Sequence, residues 1–238
     1  MNVISWNCNM AFRNKCENVL KFKPDLLVIQ ECENQEKLKY ALDNMDHNDI
    51  LWHGQNPHKG VAAISFKDVN LSLKSGYSEE FQYIIPIELK NKNRLINFFH
   101  IWAMPYKTDR KKDYIGQIWG ALNYYSEFLK EDSIWIGDFN SNAIWDKKKR
   151  IGNHIDVVNR LEENRIRSLY HLQTKKTQGQ ELEPTLYLLK KVHKPYHVDF
   201  CFLSDNLINE NTKISIGDYD DWISLSDHMP IFIQSINA

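Results

Sequence analysis

Residues 94–102 read RLINFFHIW, and this stretch decides the fold class. Side chains alternate between faces along an extended strand, so Leu95, Phe99 and Ile101 point one way while Ile96, Phe98 and Trp102 point the other. A sheet with one face in water would show polar residues on one of these sets, whereas a strand apolar on both is covered on both sides. Other β-rich runs lie at 2–6, 26–30, 60–66, 83–89, 133–137, 198–203 and 230–234. Helical spacing appears at 11–22, which stops at Pro24, at 111–130 and at 153–164. Doubly covered strands interspersed with helices predict an α/β (α+β) architecture of two packed β-sheets flanked by helices, with hairpins between adjacent strand runs in the middle of the chain.

The chain has 238 residues, 42% hydrophobic and 26% charged, with 30 Lys+Arg against 31 Asp+Glu for a formal net charge of −1. This composition is that of a globular fold and excludes disordered, collagenous and coiled-coil classes. Without repeats or a Pro/Gly/Ser-rich linker, residues 1–238 are expected to form a single domain. The longest apolar runs, such as Leu26–Ile29, fall far short of the ~20 residues that span a bilayer, and no signal peptide is visible. The expectation is therefore a cytoplasmic protein, with no membrane association and no feature that requires an obligate protein partner. Cys8, Cys16, Cys32 and Cys201 lack CxxC spacing and read as buried reduced thiols.

Chemistry is concentrated where polar residues interrupt apolar strands. Asn7 ends Val3-Ile4-Ser5-Trp6, Glu31 ends Leu26–Gln30, Asp138 and Asn140 follow Ile134–Gly137, Asp199 lies in His197–Phe200, and Asp227-His228 precede Met229-Pro230-Ile231. One acid at a strand end is commonly a turn former. Five such sites in one chain suggest a common rim, because strand ends of a sheet bring distant positions together. Glu31, Asp138, Asp199 and Asp227 offer hard oxygen ligands suited to Mg²⁺, with Mn²⁺ an alternative, rather than zinc. His228 exchanges protons near neutrality, and a carboxylate such as Asp199 would fix its tautomer. Together these groups suit metal-assisted attack of water on a phosphate ester.

The set SWNCN (5–9), DLLVIQE (25–31), GDFN (137–140), HVDF (197–200) and SDHMPI (226–231), in this order, resembles the endonuclease/exonuclease/phosphatase superfamily of metal-dependent phosphodiesterases. The resemblance runs from Asn2 to about Ile233 and implies a four-layer α/β/β/α sandwich. It also implies roles. Glu31 would bind the divalent metal with Asn7 beside it, and Asp227 would complete the metal or leaving-group side. Asp138 would position or deprotonate water, and Asn140 would hold that water or the phosphate. His228, oriented by Asp199, would contact the scissile phosphate. His100 matches a strand histidine that many members use as a phosphate contact or leaving-group acid; its alternative is a hydrogen-bonded core residue.

Eleven of the 30 Lys+Arg fall in sixteen residues, at 107–112 (KTDRKK), 146–150 (DKKKR) and 190–194 (KKVHK). Lysine runs are commonly solvated loops. Because each lies beside a motif-bearing strand, Lys111, Lys112, Lys147, Lys148, Lys149 and Arg150 are expected to form a collar for a phosphate backbone. Trp145 could stack on a base, although burial is the commoner fate of tryptophan, and His154 reads as structural. The leading expectation is an endo- or exonuclease acting on DNA or RNA. One alternative is the same chemistry on a phosphoinositide, sphingomyelin or other small phosphoester, although no apolar loop or amphipathic membrane helix stands out to engage lipid. The other is a nucleic-acid-binding protein that has lost turnover.

Overall fold

The computed structural model describes residues 1–43, 45–106, 109 and 112–238. Its strands are β1 (Val3–Asn7), β2 (Leu26–Cys32), β3 (His47–Asn56), β4 (Lys59–Phe66), β5 (Val69–Leu73), β6 (Ile84–Asn91), β7 (Arg94–Trp102), β8 (Ser133–Asp138), β9 (Ile166–Ser168), β10 (Leu186–Tyr187), β11 (Pro195–Tyr196), β12 (Asp199–Ser204), β13 (Lys213–Ile216) and β14 (Ile231–Gln234). Among the described residues they form two six-stranded mixed sheets, in the orders β13-β14-β1-β2-β4-β3 and β5-β6-β7-β8-β12-β9, and a small β10-β11 ribbon. Helices α1 (Glu17–Leu20), α2 (Gln35–Leu42), α3 (Ile115–Tyr124), α4 (His154–Glu163), α5 (Leu169–Thr174) and α6 (Tyr219–Trp222) complete the fold.

The two faces of residues 94–102 enter two different cores. Ile96, Phe98 and Trp102 meet Val28, Val61 and Ala63 of the first sheet, filling the space between the sheets. Phe99 and Ile101 pack outward against Ile118 and Leu122 of α3 and Val157 and Leu161 of α4. Leu95, at the start of the strand, is exposed. A third core sets α1, α2 and α6 against the outer face of the first sheet through Val19, Leu38, Trp222, Ile29 and Ile64. The result is the four-layer sandwich that the sequence predicts.

Local differences have local causes. Segment 11–22 is not one helix but a 3-10 turn, Phe12–Asn14, followed by α1. The carboxylate of Glu33, 1% exposed, accepts from the backbone N–H of Phe12 (2.7 Å) and Arg13 (3.0 Å), which ties the start of the segment into a separate turn. Segment 111–130 gives α3 and then a 3-10 turn over Ser126–Lys130, the helical backbone being left at Tyr125. Helix α4 is preceded by the N-cap Asn153, which joins Asp156 in a capping box. All four cysteines are buried. Among the described residues, no helix is long and apolar enough to cross a membrane.

Candidate active site

Topology brings the strand-end residues to one rim. Strands β1 and β2 are parallel, with Asn7 opposite Gln30, so Asn7 and Glu31 emerge together. Strand β14 runs antiparallel to β1, with Ser5 opposite Ile231, which places the preceding residues 226–230 near Asn7. In the second sheet β12 is antiparallel to β8 and Asp199 pairs with Asp138. Two site residues have backbones that side chains adopt only at a cost: Glu31, at the bulge between Gln30 and Cys32, has φ 58°, and Asn140 has φ 46°. The bulge turns Glu31 to the rim while Gln30 stays between the sheets.

Asp138 is fully buried. Its Oδ2 accepts from Asn7 Nδ2 (3.0 Å) and Asn140 Nδ2 (2.9 Å), and its Oδ1 from the Asn140 backbone N–H (2.8 Å). Asn7 Nδ2 also lies 3.4 Å from Glu31 Oε1. His228 Nδ1 donates to Asp199 Oδ2 (2.9 Å), and its Nε2 lies 4.0 Å from Asp138 Oδ2. Asp199 is fixed in turn by Thr185, whose hydroxyl accepts the N–H of both Val198 (2.9 Å) and Asp199 (3.0 Å). Ser226 Oγ donates to Asn7 O (2.7 Å) and accepts from His228 N (3.0 Å), and Trp6 Nε1 donates to His228 O (2.9 Å). Asp227, half-buried, accepts from Asn9 Nδ2 (3.2 Å).

Burial disfavours the charged form of both central groups. It therefore raises Asp138 above the ordinary carboxylate range, against the pull of the imidazolium. For His228, the carboxylates of Asp199 and Asp138 outweigh burial and raise it, so that it is cationic at neutral pH.

Two places could hold a cation. Asp138, Asp199 and His228 offer ligand atoms within 4.8 Å of one another, and Asp199 Oδ1 is buried without a hydrogen-bond partner among the described residues. His228 is committed through Nδ1 to Asp199, so only its Nε2 could reach a metal there. Glu31 is the better fit. Its Oε2 already faces the ammonium of Lys59 at 3.1 Å, a side-chain cation standing where positive charge is favoured, and the carboxylate and amide oxygens of Glu31 and Asn7 are hard donors.

His100 lies apart from this constellation. It pairs with Ile136, two residues short of the level at which Trp102 meets Asp138, and Gln30 Nε2 donates to its Nε2 at 2.9 Å between the sheets. Burial holds it down at about 3, hence neutral. His154 is buried too, bridging Ser141 (3.3 Å) and Gln178 (3.1 Å).

Beside Asn140 opens a cleft of about 420 Å³, lined by Trp145, Lys147, Arg150, Leu186, Tyr196 and Val198 among others. Trp145 is 46% exposed, contrary to the burial expected of it. Of the basic residues, Lys147 and Arg150 reach the cleft, while Lys148 and Lys149 are exposed on the same turn. Lys112 is paired with Glu80 at 2.5 Å, and Lys111 lies outside the described residues. An apolar loop does stand out, contrary to the sequence reading: Leu189 and Val192, between β10 and β11, are 66% and 63% exposed.

The residues that sequence reasoning missed are the supports. Thr185, which carries no periodic or strand-end signal, holds Asp199, and Ser226, which lies in the SDHMPI motif but to which the sequence reading assigns no role, holds His228 through its hydroxyl. Behind Asn142, Glu181 Oε1 accepts from His171 Nε2 (3.0 Å) and Gly179 N (2.9 Å), and its Oε2 from Asn142 Nδ2 (3.1 Å). Burial opposes the charge of Glu181, but these donors outweigh it and hold the group down at about 2. A folded value below the unfolded one means stabilisation that is present above ~4.5 and lost as pH falls toward ~2. Glu181→Gln is expected to cost about 2–3 kcal/mol at pH 7. Urea denaturation at pH 7 and pH 3 checks this, the gap between variant and parent shrinking at the lower pH.

No family model matches the chain, and no curated protein matches it. The fold is shared with solved structures at 14–17% identity and agrees with the sandwich that the resemblance implies. Among solved structures, the chain is similar to a 3′ phosphatase from Neisseria bound to product DNA hairpin (TM-score 0.70, 15% identity, covering 99% of each chain). It is also similar to an AP endonuclease from Archaeoglobus fulgidus (TM-score 0.66, 17% identity, covering 100% of each chain). A third is the endonuclease domain of TRAS1, a telomere-specific non-LTR retrotransposon (TM-score 0.66, 14% identity, covering 100% of this chain and 98% of that one).

Proposed function

We propose that this protein is a divalent-metal-dependent phosphodiesterase that hydrolyses nucleic acid. The observation that carries the reading is the juxtaposition, at one rim, of a buried, upshifted Asp138 with a cationic His228 clamped by Asp199, next to the Glu31–Asn7 pair. Glu31 with Asn7 would hold Mg²⁺ or Mn²⁺, Asp227 completing that side, and the ion when bound supplies Lewis-acid stabilisation of charge on the phosphate. Asp138, its carboxylate aimed by Asn7 and Asn140, takes the proton of the attacking water; its raised basicity suits that task near neutral pH. His228 offers positive charge to the phosphate oxygens as negative charge builds in the transition state. Asp199 keeps the imidazole oriented with Nε2 toward the rim. His100, neutral and enclosed between the sheets, takes no part in this scheme.

Nucleic acid is favoured as substrate by the basic lip of the cleft, Lys147 and Arg150 beside Asn140, and by the likeness to a 3′ phosphatase solved with a DNA hairpin. The exposed Leu189 and Val192, next to Lys190, Lys191 and Lys194, favour a second reading in which the same chemistry serves a phospholipid.

A panel separates the two: supercoiled plasmid, single-stranded DNA, RNA, and vesicles carrying a phosphoinositide, each with Mg²⁺, Mn²⁺ or EDTA. Cleavage of a nucleic acid that EDTA abolishes is the expected result. Turnover of the phosphoinositide alone favours the second reading, and tight binding without cleavage in either metal would overturn the catalytic reading.

A further inference from the structure

We infer that Trp145 and Tyr196 form a stacking platform for a nucleobase of the substrate, next to the position of the scissile phosphate. This rests on the phosphodiesterase reading and adds to it a preference for base-bearing nucleotides.

The two rings lie with centroids 5.2 Å apart and planes inclined at 49°, and both line the cleft that contains Asn140. An indole left 46% exposed forfeits burial that a tryptophan ordinarily finds. Here the exposure is imposed by a rigid turn. Asn142 Oδ1 accepts from Ile144 N (3.1 Å) and Asn142 O from Trp145 N (3.1 Å). One residue on, the Asp146 carboxylate accepts from the first N–H groups of α4, His154 (2.8 Å) and Ile155 (3.0 Å). Behind the turn lies Gly179, where an added Cβ would meet Ala143 and Ile144 at ordinary van der Waals distance, 3.4 Å. Trp145 is therefore held between two fixed anchors before any ligand arrives, and a preorganised ring loses little entropy on binding.

The chemistry of the cleft narrows its occupant. Its walls at Leu186, Val198, Trp145 and Tyr196 are apolar or aromatic, and Lys147 and Arg150 stand at its edge, the latter guanidinium fixed on Asp113 O at 3.2 Å. A flat apolar ring joined to an anionic backbone satisfies both halves; the ring of an inositol phosphate is puckered and hydroxylated, and a bare sugar-phosphate lacks the apolar face. The volume of about 420 Å³ falls in the roughly 300–1,000 Å³ range of small-molecule sites, which accommodates a base with its sugar. Aromatic stacking accepts any base, so the platform selects for the presence of a base rather than its identity.

The test uses the full chain carrying Asp138→Asn, so that ligand is bound without being consumed. An end-labelled six-nucleotide DNA is compared with the matched six-unit backbone in which every nucleotide is abasic. The base-bearing strand is expected to bind at least about tenfold more tightly. Adding Trp145→Ala should remove most of that difference by weakening the base-bearing strand alone, and Trp145→Phe should retain most of it. Equal affinity for the two strands, or a difference that Trp145→Ala leaves intact, would overturn the platform. So would loss of binding to phosphoinositide vesicles in Trp145→Ala with strand discrimination unchanged, which would assign the cleft to lipid. Cleavage of the same DNA and of an RNA six-mer by the parent protein in Mg²⁺ separates the two levels: cleavage without base discrimination overturns the platform alone, whereas no cleavage of either strand overturns the nuclease reading.

Discussion

Asp138→Asn is expected to lower kcat at least ~100-fold, the loss that follows removal of a general base, with a much smaller change in KM. The substitution keeps the side-chain shape in a fully buried position but leaves no group able to accept a proton from water. Because Asp138 accepts three hydrogen bonds, from Asn7 and Asn140, the amide must also turn an N–H toward one of these donors, so a modest stability loss accompanies the kinetic one. His228→Ala is expected to cost at least ~100-fold as well, by loss of a charge contact in the transition state. It has a second effect: without the imidazolium, Asp138 loses the charge that favours its carboxylate form and is driven further toward its protonated form. Steady-state hydrolysis by purified variants, alongside circular dichroism spectra matching the parent, decides the matter. Turnover close to that of the parent in both variants would remove these two residues from the mechanism.

Gly137→Ala should carry the largest stability effect, more than about 3 kcal/mol, because steric strain at a special backbone position adds to a direct clash. Gly137 has φ 137°, and a Cβ built there would lie 2.0 Å from Ile101 O. The obstacle is backbone, in the strand that pairs with β8 at Ile101 and Gly137, so no rotamer change relieves it. Gly76 supplies the control. It too has a positive φ, 90°, but an added Cβ would meet nothing nearer than Phe128 at 4.0 Å, so Gly76→Ala is expected to cost only about 1 kcal/mol. Equilibrium urea unfolding of the two variants should separate them clearly. Equal losses would mean that backbone conformation, not the close approach to β7, sets the requirement for glycine in the GDFN segment.

The interior strands were legible and the edges were not. Strands β1, β2, β4, β6, β7, β8, β12 and β14 correspond to apolar runs in the sequence, and within the two six-stranded sheets each lies between two neighbours. Within those sheets the strands with no such signal, β3, β5, β9 and β13, are the four edges. An edge strand such as His47–Asn56, HNDILWHGQN, is half-covered along its length, so burial does not impose an apolar run on it. Helix α2 escaped for a related reason: only Leu38 and Leu42 are buried, too thin a stripe to register as a period. In the site, Glu31 and Asp138 could be read because an acid ending an apolar run breaks a pattern. Thr185, Glu181 and Tyr196 interrupt nothing, since they lie in irregular or two-residue elements, and their partners are set by tertiary contact alone. Lys112 shows the converse limit, a residue whose loop position was readable but whose pairing with Glu80 was not.

The position of β14 has a consequence for how the protein comes to be active. It lies between β13 and β1 in the first sheet, and pairs Ile233 with Val3. Closing so long a loop carries an entropy cost that neighbouring contacts do not. Until β14 docks, β1 has a bare edge, and His228, three residues upstream of that strand, has no fixed place beside Asp199. Loop closure that completes the sheet thus also delivers the imidazolium to the rim. A chain with β14 undocked would hold Asp138 and Asp199 in register yet lack the cation between them, so the pairing that completes the sheet also sets the catalytic group in place.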